Sequence, residues 1–296
     1  MGSKKIHLYL VIRRNLMISD MFPYYTTIRE DHMLPGVYLA YKKNGEIYYR
    51  SNITYKNKHI SLGSFSKEED ANTAYIEAGR FLTDFEITID TVFSHHTILK
   101  FDKVISLLNF RDNGIYFKNP IYLRNNYFVY YISKSDELKF DIDDLFYYSS
   151  HKIMRRGTHL FVNDYGMQVN ILSRYGIKNY AVAGRDYYFA NEDMTDFRYS
   201  NIIIINKFHG VTMYLKNEIP RYKVKIHING NYTIGTYRSE EKAAIAYNKA
   251  VDLAKNHGIE KNFPTNYIEN FSPKEYAEIY SKIKISAKYL DYLANL

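Results

Sequence analysis

The chain has 296 residues, of which 46% are apolar and 24% charged, a composition typical of a folded protein with two or three domains. It contains no cysteine, which excludes disulfide scaffolds, thiolate zinc sites and cysteine nucleophiles. The net charge of +8 favours a polyanionic partner, whereas the apolar runs are too short for a membrane helix, so we expect a cytoplasmic protein with no membrane partner.

An internal repeat begins after an N-terminal segment at 1–34. The stretch 63–75 reappears without a gap at 235–247, and 36–37 corresponds to 210–211. In the first copy, at 35–90, Ser66 and Glu69 have the spacing of a capping box. Alanines follow at three- and four-residue spacing, which predicts a helix that lies close against a small sheet.

Residues 91–150 are predicted to be a strand-rich linker domain. The segments 114–117 and 127–131 have a strand-like pattern, match no module that we can name, and are expected to form a sheet with the domain that follows. Asp141 to Asp144 resemble the start of a calcium loop but lack its glycine and its distant glutamate. We therefore interpret them as the N-terminus of a helix and predict no metal there.

The domain at 151–208 carries a second pattern in its later half. Asn191-Glu192-Asp193 is followed by Asp196-Phe197-Arg198 and then by Asn201. This stretch resembles the HNH segment of phage and homing endonucleases, and the resemblance implies a ββα-type fold. An HNH nuclease needs a histidine base and a ligand that holds a divalent cation at the scissile phosphate. Phe189 stands at the position of the base, and Tyr188 stands at that of the ligand.

Because neither side chain can do the work of an imidazole, we interpret this domain as degenerate. We predict no catalytic residue, no metal and no cofactor, and we retain Arg198 as a phosphate contact. Two alternatives remain open. The match to the HNH segment is coincidental, or the chain is an active endonuclease with an atypical metal site in which His209 or another group substitutes for the missing base.

The second copy of the repeat, at 209–265, has the clearer pattern. From Arg221 to Ile228 polar and apolar residues alternate, which predicts a strand with one buried face. The inward residues are Tyr222, Val224, Ile226 and Ile228. Asn229-Gly230 predicts a type I′ hairpin turn, and Ser239 predicts the start of an alanine-rich helix.

This pattern resembles the Apetala-two/ethylene-response-factor DNA-binding domain. The resemblance rests on Tyr222-x-Val224-x-Ile226, Ile234-Gly235-x-Tyr237, Glu241-x-Ala243-Ala244-x-Ala246-Tyr247 and Asn262-Phe263-Pro264. The first copy keeps Tyr49-x-Ser51-x-Ile53, Leu62-Gly63-x-Phe65 and Ala71-x-x-Ala74-Tyr75 but lacks the final Asn-Phe-Pro.

In that family the sheet lies in the major groove of DNA. The resemblance therefore implies that the outward side chains of the second copy contact phosphates and base edges: Arg221, Lys223, Lys225, His227, Thr233 and Arg238. The first copy offers Arg50, Asn52, Thr54, Lys58 and Ser61. Because these include fewer cations, we expect the first copy to bind more weakly. The alternation alone is equally consistent with charges that only solvate an exposed strand.

A helix is predicted in the C-terminal segment 266–296. Ser272 and Pro273 form a helix start, and one face then carries Tyr276, Ile279, Tyr280 and Ile283. This face either packs on the second copy or pairs with another chain to form a homodimer. Both readings stay open.

Together these patterns predict an α+β protein with two small sheet-plus-helix modules around a central HNH-like domain. We expect a sequence-specific, nucleoid-associated binder of double-stranded DNA that regulates transcription or a mobile element and is not an enzyme. Two alternatives remain, the HNH-type homing endonuclease and a phage or host factor that binds another protein through its aromatic surface.

Overall fold

The computed structural model describes residues 33–296, so all but the last two positions of the predicted N-terminal segment lie outside the described residues. Contacts between Cα atoms divide the chain into two compact units, with the boundary between Lys100 and Phe101. Within the described residues, six α-helices and five small antiparallel sheets confirm the expected α+β class. None of these helices combines the length and the apolar character that crossing a membrane requires.

Unit one contains module one, a three-stranded antiparallel sheet with a helix on one face. Its elements are β1 (Val37–Tyr41), β2 (Ile47–Tyr55), β3 (Lys58–Phe65) and α1 (Glu68–Thr83), and β2 is the central strand. Ala71, Ala74 and Ala78 of α1 are fully buried, because small side chains let a helix approach a sheet closely. The predicted strand and helix order of the first copy is confirmed.

Helix α1 begins differently from the predicted capping box. Its N-cap is Lys67, which makes no side-chain capping hydrogen bond, so the predicted pairing of Ser66 with Glu69 was wrong. The alignment of the repeat gives the reason, because Lys67 aligns with Ser239. In the second copy Ser239 does cap its helix, and its hydroxyl accepts a hydrogen bond from the backbone N of Lys242 at 3.2 Å.

Unit two opens with a helix and a second sheet. The elements are α2 (Phe101–Asn113), β4 (Ile121–Leu123), β5 (Tyr127–Ser133), β6 (Asp136–Asp141) and α3 (Leu145–Ser150). The strand predicted at 127–131 is confirmed within β5, whereas the strand predicted at 114–117 was wrong. Gly114, at φ +74°, follows the end of α2. The Asn109 amide then donates to the carbonyl of Ile115 at 2.7 Å, which holds this segment in a turn.

The centre of unit two is built from short strands. They are β7 (Ile153–Arg156), β8 (His159–Asp164), β9 (Met167–Asn170), β10 (Tyr187–Phe189) and β11 (Ile202–Ile204). Strand β11 pairs with β10 in an antiparallel ribbon, so the helix that a ββα-type fold requires after Asn201 is absent from residues 151–208, and this part of the prediction was wrong. The isoleucine run explains the difference, since β-branched side chains favour a strand.

One hydrophobic core joins the predicted linker domain to the HNH-like domain. The two domains form separate sheets rather than the single sheet expected, but their inner faces pack together. Phe140 of β6 stacks on Phe197, with ring centroids 5.5 Å apart. The acidic run at 141–144 leads through a 3₁₀ turn (Ile142–Asp144) into α3, which confirms the predicted helix start.

Module two completes the chain together with two C-terminal helices. Its elements are β12 (Val211–Lys216), β13 (Ile219–His227), β14 (Asn231–Tyr237) and α4 (Glu240–Asn256), followed by α5 (Pro273–Lys282) and α6 (Ala287–Ala294). The predicted cap of α5 is confirmed as a capping box between Ser272 and Glu275. The apolar face of α5 packs on module two, which was one of the two roles predicted for it. Pairing with a second chain stays a prediction.

The β13–β14 hairpin lies where it was predicted but has a different turn. Neither Asn229 nor Gly230 has a positive φ, so the predicted type I′ turn was wrong. The last ladder pair is His227 with Asn231, which leaves a three-residue loop. Ile228 packs against the core of module two and draws the first residue of that loop inward.

The two modules share a β-bulge at the same place in their third strands, where Leu62 of β3 and Ile234 of β14 are the extra residues opposite the central strand. The backbone N of Asn52 donates to the carbonyl of Gly36 at 3.0 Å, and that of Lys225 donates to Gly210 at 2.8 Å. The pairing register shifts at each of these residues. The two copies of the repeat therefore share individual backbone hydrogen bonds as well as sequence.

Candidate nucleic-acid interface

Strand alternation gives the module-two sheet two chemically different faces. Val224 and Ile226 of the central strand β13 are buried against α4, with 0% and 1% of their surface exposed. The residues between them point the opposite way, because successive side chains of a strand alternate. We call this opposite side the outer face of module two. It carries Arg221, Lys223, Lys225 and His227 from β13, and Asn231, Thr233, Thr236 and Arg238 from β14 or directly after it.

The cations of this outer face are available for an external anion. Among the described residues, Lys223, Lys225 and Arg238 have no ion-pair partner, and the only hydrogen bond of the Arg221 side chain runs to the carbonyl of Pro220 at 3.2 Å. No residue of the outer face is acidic. Such a surface attracts polyanions through the release of their counterions.

Hydroxyl and amide groups stand beside the cations. Cross-strand pairing places Lys223 opposite Thr236 and Lys225 opposite Thr233. His227 and Asn231 face each other, and their side chains are linked at 3.2 Å between Nδ1 and Oδ1. The outer face thus combines positive charges, which suit phosphates, with neutral hydrogen-bonding groups, which suit base edges.

Module one has a much weaker version of this face. The residues at the equivalent positions are Tyr48, Arg50, Asn52, Thr54, His59, Ser61, Ser64 and Ser66. Arg50 is the one Lys or Arg among them, and it lies over the ring of Tyr48 while donating to its hydroxyl through Nη2 at 2.6 Å. The predicted difference in charge between the two copies is therefore present on matched surfaces.

Lys58 does not belong to the outer face of module one. It pairs with Tyr55 at the end of the β2–β3 hairpin, whereas Thr54 pairs with His59. Strand alternation assigns Lys58 to the side of buried Ile60 and assigns His59 to the outer face. The predicted position of Lys58 on the outer face was wrong because the sequence alone left the register of this hairpin undetermined.

The charge of Arg198 is neutralised by an ion pair within unit two. Its guanidinium makes two hydrogen bonds to the buried carboxylate of Asp196, at 2.8 Å and 2.5 Å, and lies over the ring of Tyr127. Burial alone would raise the pKa of Asp196, but the hydrogen bonds from Arg198 hold it below its usual range. Arg198 therefore stabilises its own loop, and we no longer include it among the phosphate contacts.

The HNH-like residues form a tightly bonded loop between β10 and β11. The buried Asn201 accepts from the backbone N of Asn191 at 2.8 Å and donates to the carbonyl of Asp196 at 2.8 Å. Asn191 in turn donates to the Asp196 carboxylate at 3.0 Å. Asn201 therefore closes the ribbon loop instead of connecting a ribbon to a helix.

The two positions that the HNH resemblance assigned to a general base and a metal ligand hold aromatic rings. Phe189, at the position of the general base, is buried and packs edge-on against Phe197 with centroids 5.6 Å apart. Tyr188, at the position of the metal ligand, points to the other face of the ribbon and is 44% exposed. Throughout residues 33–296, no three His, Asp or Glu side chains come together in a group that could hold a metal ion.

His209, the residue that could substitute for the missing general base, lies where module two begins. Its ring packs edge-on between Tyr180 and Tyr247, with centroids at 4.3 Å and 5.1 Å. Burial lowers the pKa of this imidazole. Its backbone N donates to Asn266 at 2.7 Å, which fixes the chain where module two begins. These contacts give His209 a packing role.

Several residues of the outer face were not predicted from the sequence, among them Asn231, which pairs with His227, and Lys216 at the end of β12. Thr212 and Tyr214 of β12 pair with Lys223 and Arg221, so they lie beside these cations, and Thr236 lies on the opposite side of Lys223. The alternation from Val211 to Lys216 was the signal that could have identified Thr212 and Tyr214. Because the recognised repeat matched this part of the chain only at 210–211, these two positions were not predicted.

No family model, curated protein or solved structure matches this chain. The feature of the module-two sheet that indicates a role is the group of cations on its outer face that have no ion-pair partner within residues 33–296.

Proposed function

We propose that the chain is a non-enzymatic, sequence-specific binder of double-stranded DNA that regulates transcription or a mobile element. In this proposal the outer face of module two enters the major groove and module one adds weaker contacts. The observation that carries the proposal is the row of Arg221, Lys223 and Lys225 on the central strand. This row has no acidic neighbour on its face and is flanked on β14 by threonines.

The dimensions of the sheet are compatible with this placement. Neighbouring strands lie about 4.8 Å apart, so the backbones of β12 and β14 are about 10 Å from each other. The major groove of B-DNA is about 12 Å wide. The central strand can thus approach the bases while the flanking strands meet the phosphates on either side.

The resemblance to the Apetala-two/ethylene-response-factor domain supports the same placement. Its apolar motif positions, such as Val224, Ile226 and Ala246, are buried between sheet and helix. Its outward positions coincide with the exposed cations. Lysine and arginine can hydrogen-bond to guanine, and the neighbouring amide and hydroxyl groups can reach other base edges.

The decisive experiment compares the full chain with two charge-reversal variants. Lys225→Glu changes the outer face, whereas Lys255→Glu makes the same change of net charge on the exposed side of α4. Binding to a fluorescent duplex, enriched from random DNA by selection with the chain, would be measured by anisotropy at several salt concentrations. We expect affinity to fall steeply with salt, and Lys225→Glu to weaken binding far more than Lys255→Glu.

Three outcomes would contradict the proposal. Equal losses in the two variants would show that only the net charge matters. Nicking of the duplex that requires Mg²⁺ and disappears in His209→Ala would favour the endonuclease. No binding at low salt would favour a factor that binds another protein.

A further inference from the structure

A cavity of about 410 Å³ opens on the central part of unit two, and aromatic rings form its floor. Tyr187 and Phe189 come from β10, and Phe197 comes from the loop that follows. Their rings are fixed by mutual edge-on packing, with centroids 6.0 Å apart for the first two and 5.6 Å for the last two. The volume lies within the range of small-molecule sites. Phe189, whose presence removes the nuclease base, thus provides the floor of a cavity.

The rim of this cavity is basic. Arg155, His159 and Lys178 line it, and none of its lining residues is Asp or Glu. Arg155 is paired with Asp136 at 2.9 Å, which leaves Lys178 and His159 as the groups that can meet an anion. The other lining residues are apolar or neutral, so no carboxylate within the lining offsets the charge of Lys178. Lys178 and His159 have no ion-pair partner among the residues that the structure describes. The potential at the rim therefore favours an anion.

One wall of the cavity is held in place by an ion pair. Asp193 bonds to Lys139 at 2.9 Å and accepts hydrogen bonds from the backbone N and the hydroxyl of Thr195 at 2.9 Å and 2.6 Å. These contacts fix the short turn that brings Met194 and Thr195 to the cavity. The Met194 side chain is 65% exposed there, and its flexible thioether can adapt to a flat ring.

We propose that this cavity binds a small aromatic anion, of which a nucleoside monophosphate is the example that we commit to. The planar ring would pack on Phe189, Phe197 and Met194. The anionic group would meet Lys178 and His159 at the rim. The ring of the ligand provides apolar surface that the cavity floor can bury, and its anionic group provides the negative charge that the basic side chains of the rim do not find within the lining. This inference does not depend on DNA binding by module two.

The test is calorimetric titration of the full chain with AMP, GMP, CMP and UMP, and with adenosine and inorganic phosphate as the two separate halves. Naphthalene-2-carboxylate serves as an aromatic anion that is not a nucleotide. We expect at least one nucleotide to bind with submillimolar affinity, and each separate half to bind at least about tenfold more weakly. If the naphthoate alone binds, the ring-and-anion chemistry stands and the natural ligand is an aromatic carboxylate.

Matched variants locate the site. Lys178→Glu reverses an exposed charge at the rim, and Lys134→Glu makes the same change at the exposed tip of the β5–β6 hairpin, outside the cavity. We expect the first to weaken binding about tenfold and the second to leave it unchanged. Ala183→Trp, which adds a large ring to the cavity lining, should abolish binding. No binding of any aromatic anion, equal effects of the two lysine variants, or full binding by Ala183→Trp would overturn the proposal.

The same variants separate this inference from the proposed function. Lys178→Glu should keep the DNA affinity of the unaltered chain, and Lys225→Glu should keep the affinity for the aromatic anion. Loss of both activities in both variants would overturn the assignment of two independent sites.

Discussion

Gly210 lies directly against the ring of Tyr247, with no space for a side chain between them. A Cβ placed on Gly210 would be 2.3 Å from Cδ2 of that ring and 2.6 Å from the carbonyl oxygen of Lys225. The same relationship exists in module one, where a Cβ on Gly36 would lie 2.1 Å from Cδ2 of Tyr75. This glycine–tyrosine contact places the start of the first strand of each sheet on its helix.

Replacing Gly210 by alanine should therefore destabilise module two severely. The residue has φ +72°, which an L-residue adopts with strain, and the new methyl group would have to displace both a ring and a backbone. We expect Gly210→Ala to lower the free energy of unfolding by about 3 kcal/mol, measured by urea denaturation. Gly258→Ala is the matched control, because φ is +81° there but no atom lies within 4 Å of the new Cβ. If Gly258→Ala lowered the free energy of unfolding by the same amount, the whole effect would be due to backbone strain.

Much of module two could be predicted from its sequence because its signals are local. Alternation identified β13, and Ser239 with the alanine spacing identified α4. The Asn229-Gly230 pair identified a hairpin but not its geometry, since the packing of Ile228 changed the turn. Tertiary packing decided what a local pattern could not.

The candidate interface was predictable in part for the same reason. The cations of β13 follow from alternation, but the place of Lys58 depends on a hairpin register that only cross-strand pairing fixes. The ion pair of Arg198 with Asp196 joins residues two apart in a loop that has no regular period. The floor of the cavity could not be predicted, because it depends on how the rings of β10 pack and no spacing in the sequence indicates that packing.

The two modules should contribute unequally to DNA affinity. The ammonium group of Lys225 has no ion-pair or hydrogen-bond partner among residues 33–296, whereas the guanidinium of Arg50 is already bonded to the Tyr48 hydroxyl. If Lys225 contacts a phosphate, Lys225→Ala should reduce the slope of log affinity against log salt by about 1. Arg50→Ala should reduce it less. Anisotropy titrations at several salt concentrations would measure both slopes, and equal reductions would contradict the ranking of the modules.

The C-terminal helix α6 should be essential for the stability of module two. Tyr289 is fully buried, and its hydroxyl donates to the carbonyl of Ala250 in α4 at 2.8 Å. Tyr289→Ala should lower the free energy of unfolding by about 4 kcal/mol, as for other large buried side chains. Tyr289→Phe, which removes only the hydrogen bond, should cost about 1 kcal/mol.

Tyr267→Ala provides the comparison in that experiment, since this ring is 81% exposed and its loss should change stability little. Urea unfolding of the full chain, followed by circular dichroism, would report all three variants. If the Tyr289 and Tyr267 variants were equally stable, α6 would not be an integral part of the module.

The ion pair that supports the cavity wall should make stability depend on pH in the acidic range. The hydrogen bond from the Thr195 hydroxyl, with Lys139 adding its charge, lowers the pKa of Asp193 from 3.8 to about 2. A carboxyl whose pKa is lowered on folding contributes stability above its unfolded value, and this contribution disappears as pH falls through the folded value. The window is therefore between about pH 4 and pH 2.

Asp193→Asn should accordingly lower the free energy of unfolding at pH 7, by about 1 kcal/mol once solvent screening of this partly exposed pair is allowed for. The difference between the variant and the unaltered chain should shrink steadily as pH falls towards 2, where about half of the Asp193 carboxyl groups are protonated. Glu192→Gln removes a neighbouring carboxylate that has no ion-pair partner within the described part of the chain, and it should show no such convergence. Urea denaturation of the three proteins between pH 2 and pH 7 would test the pair, and a constant difference over that range would mean that the Asp193 charge does not stabilise the wall.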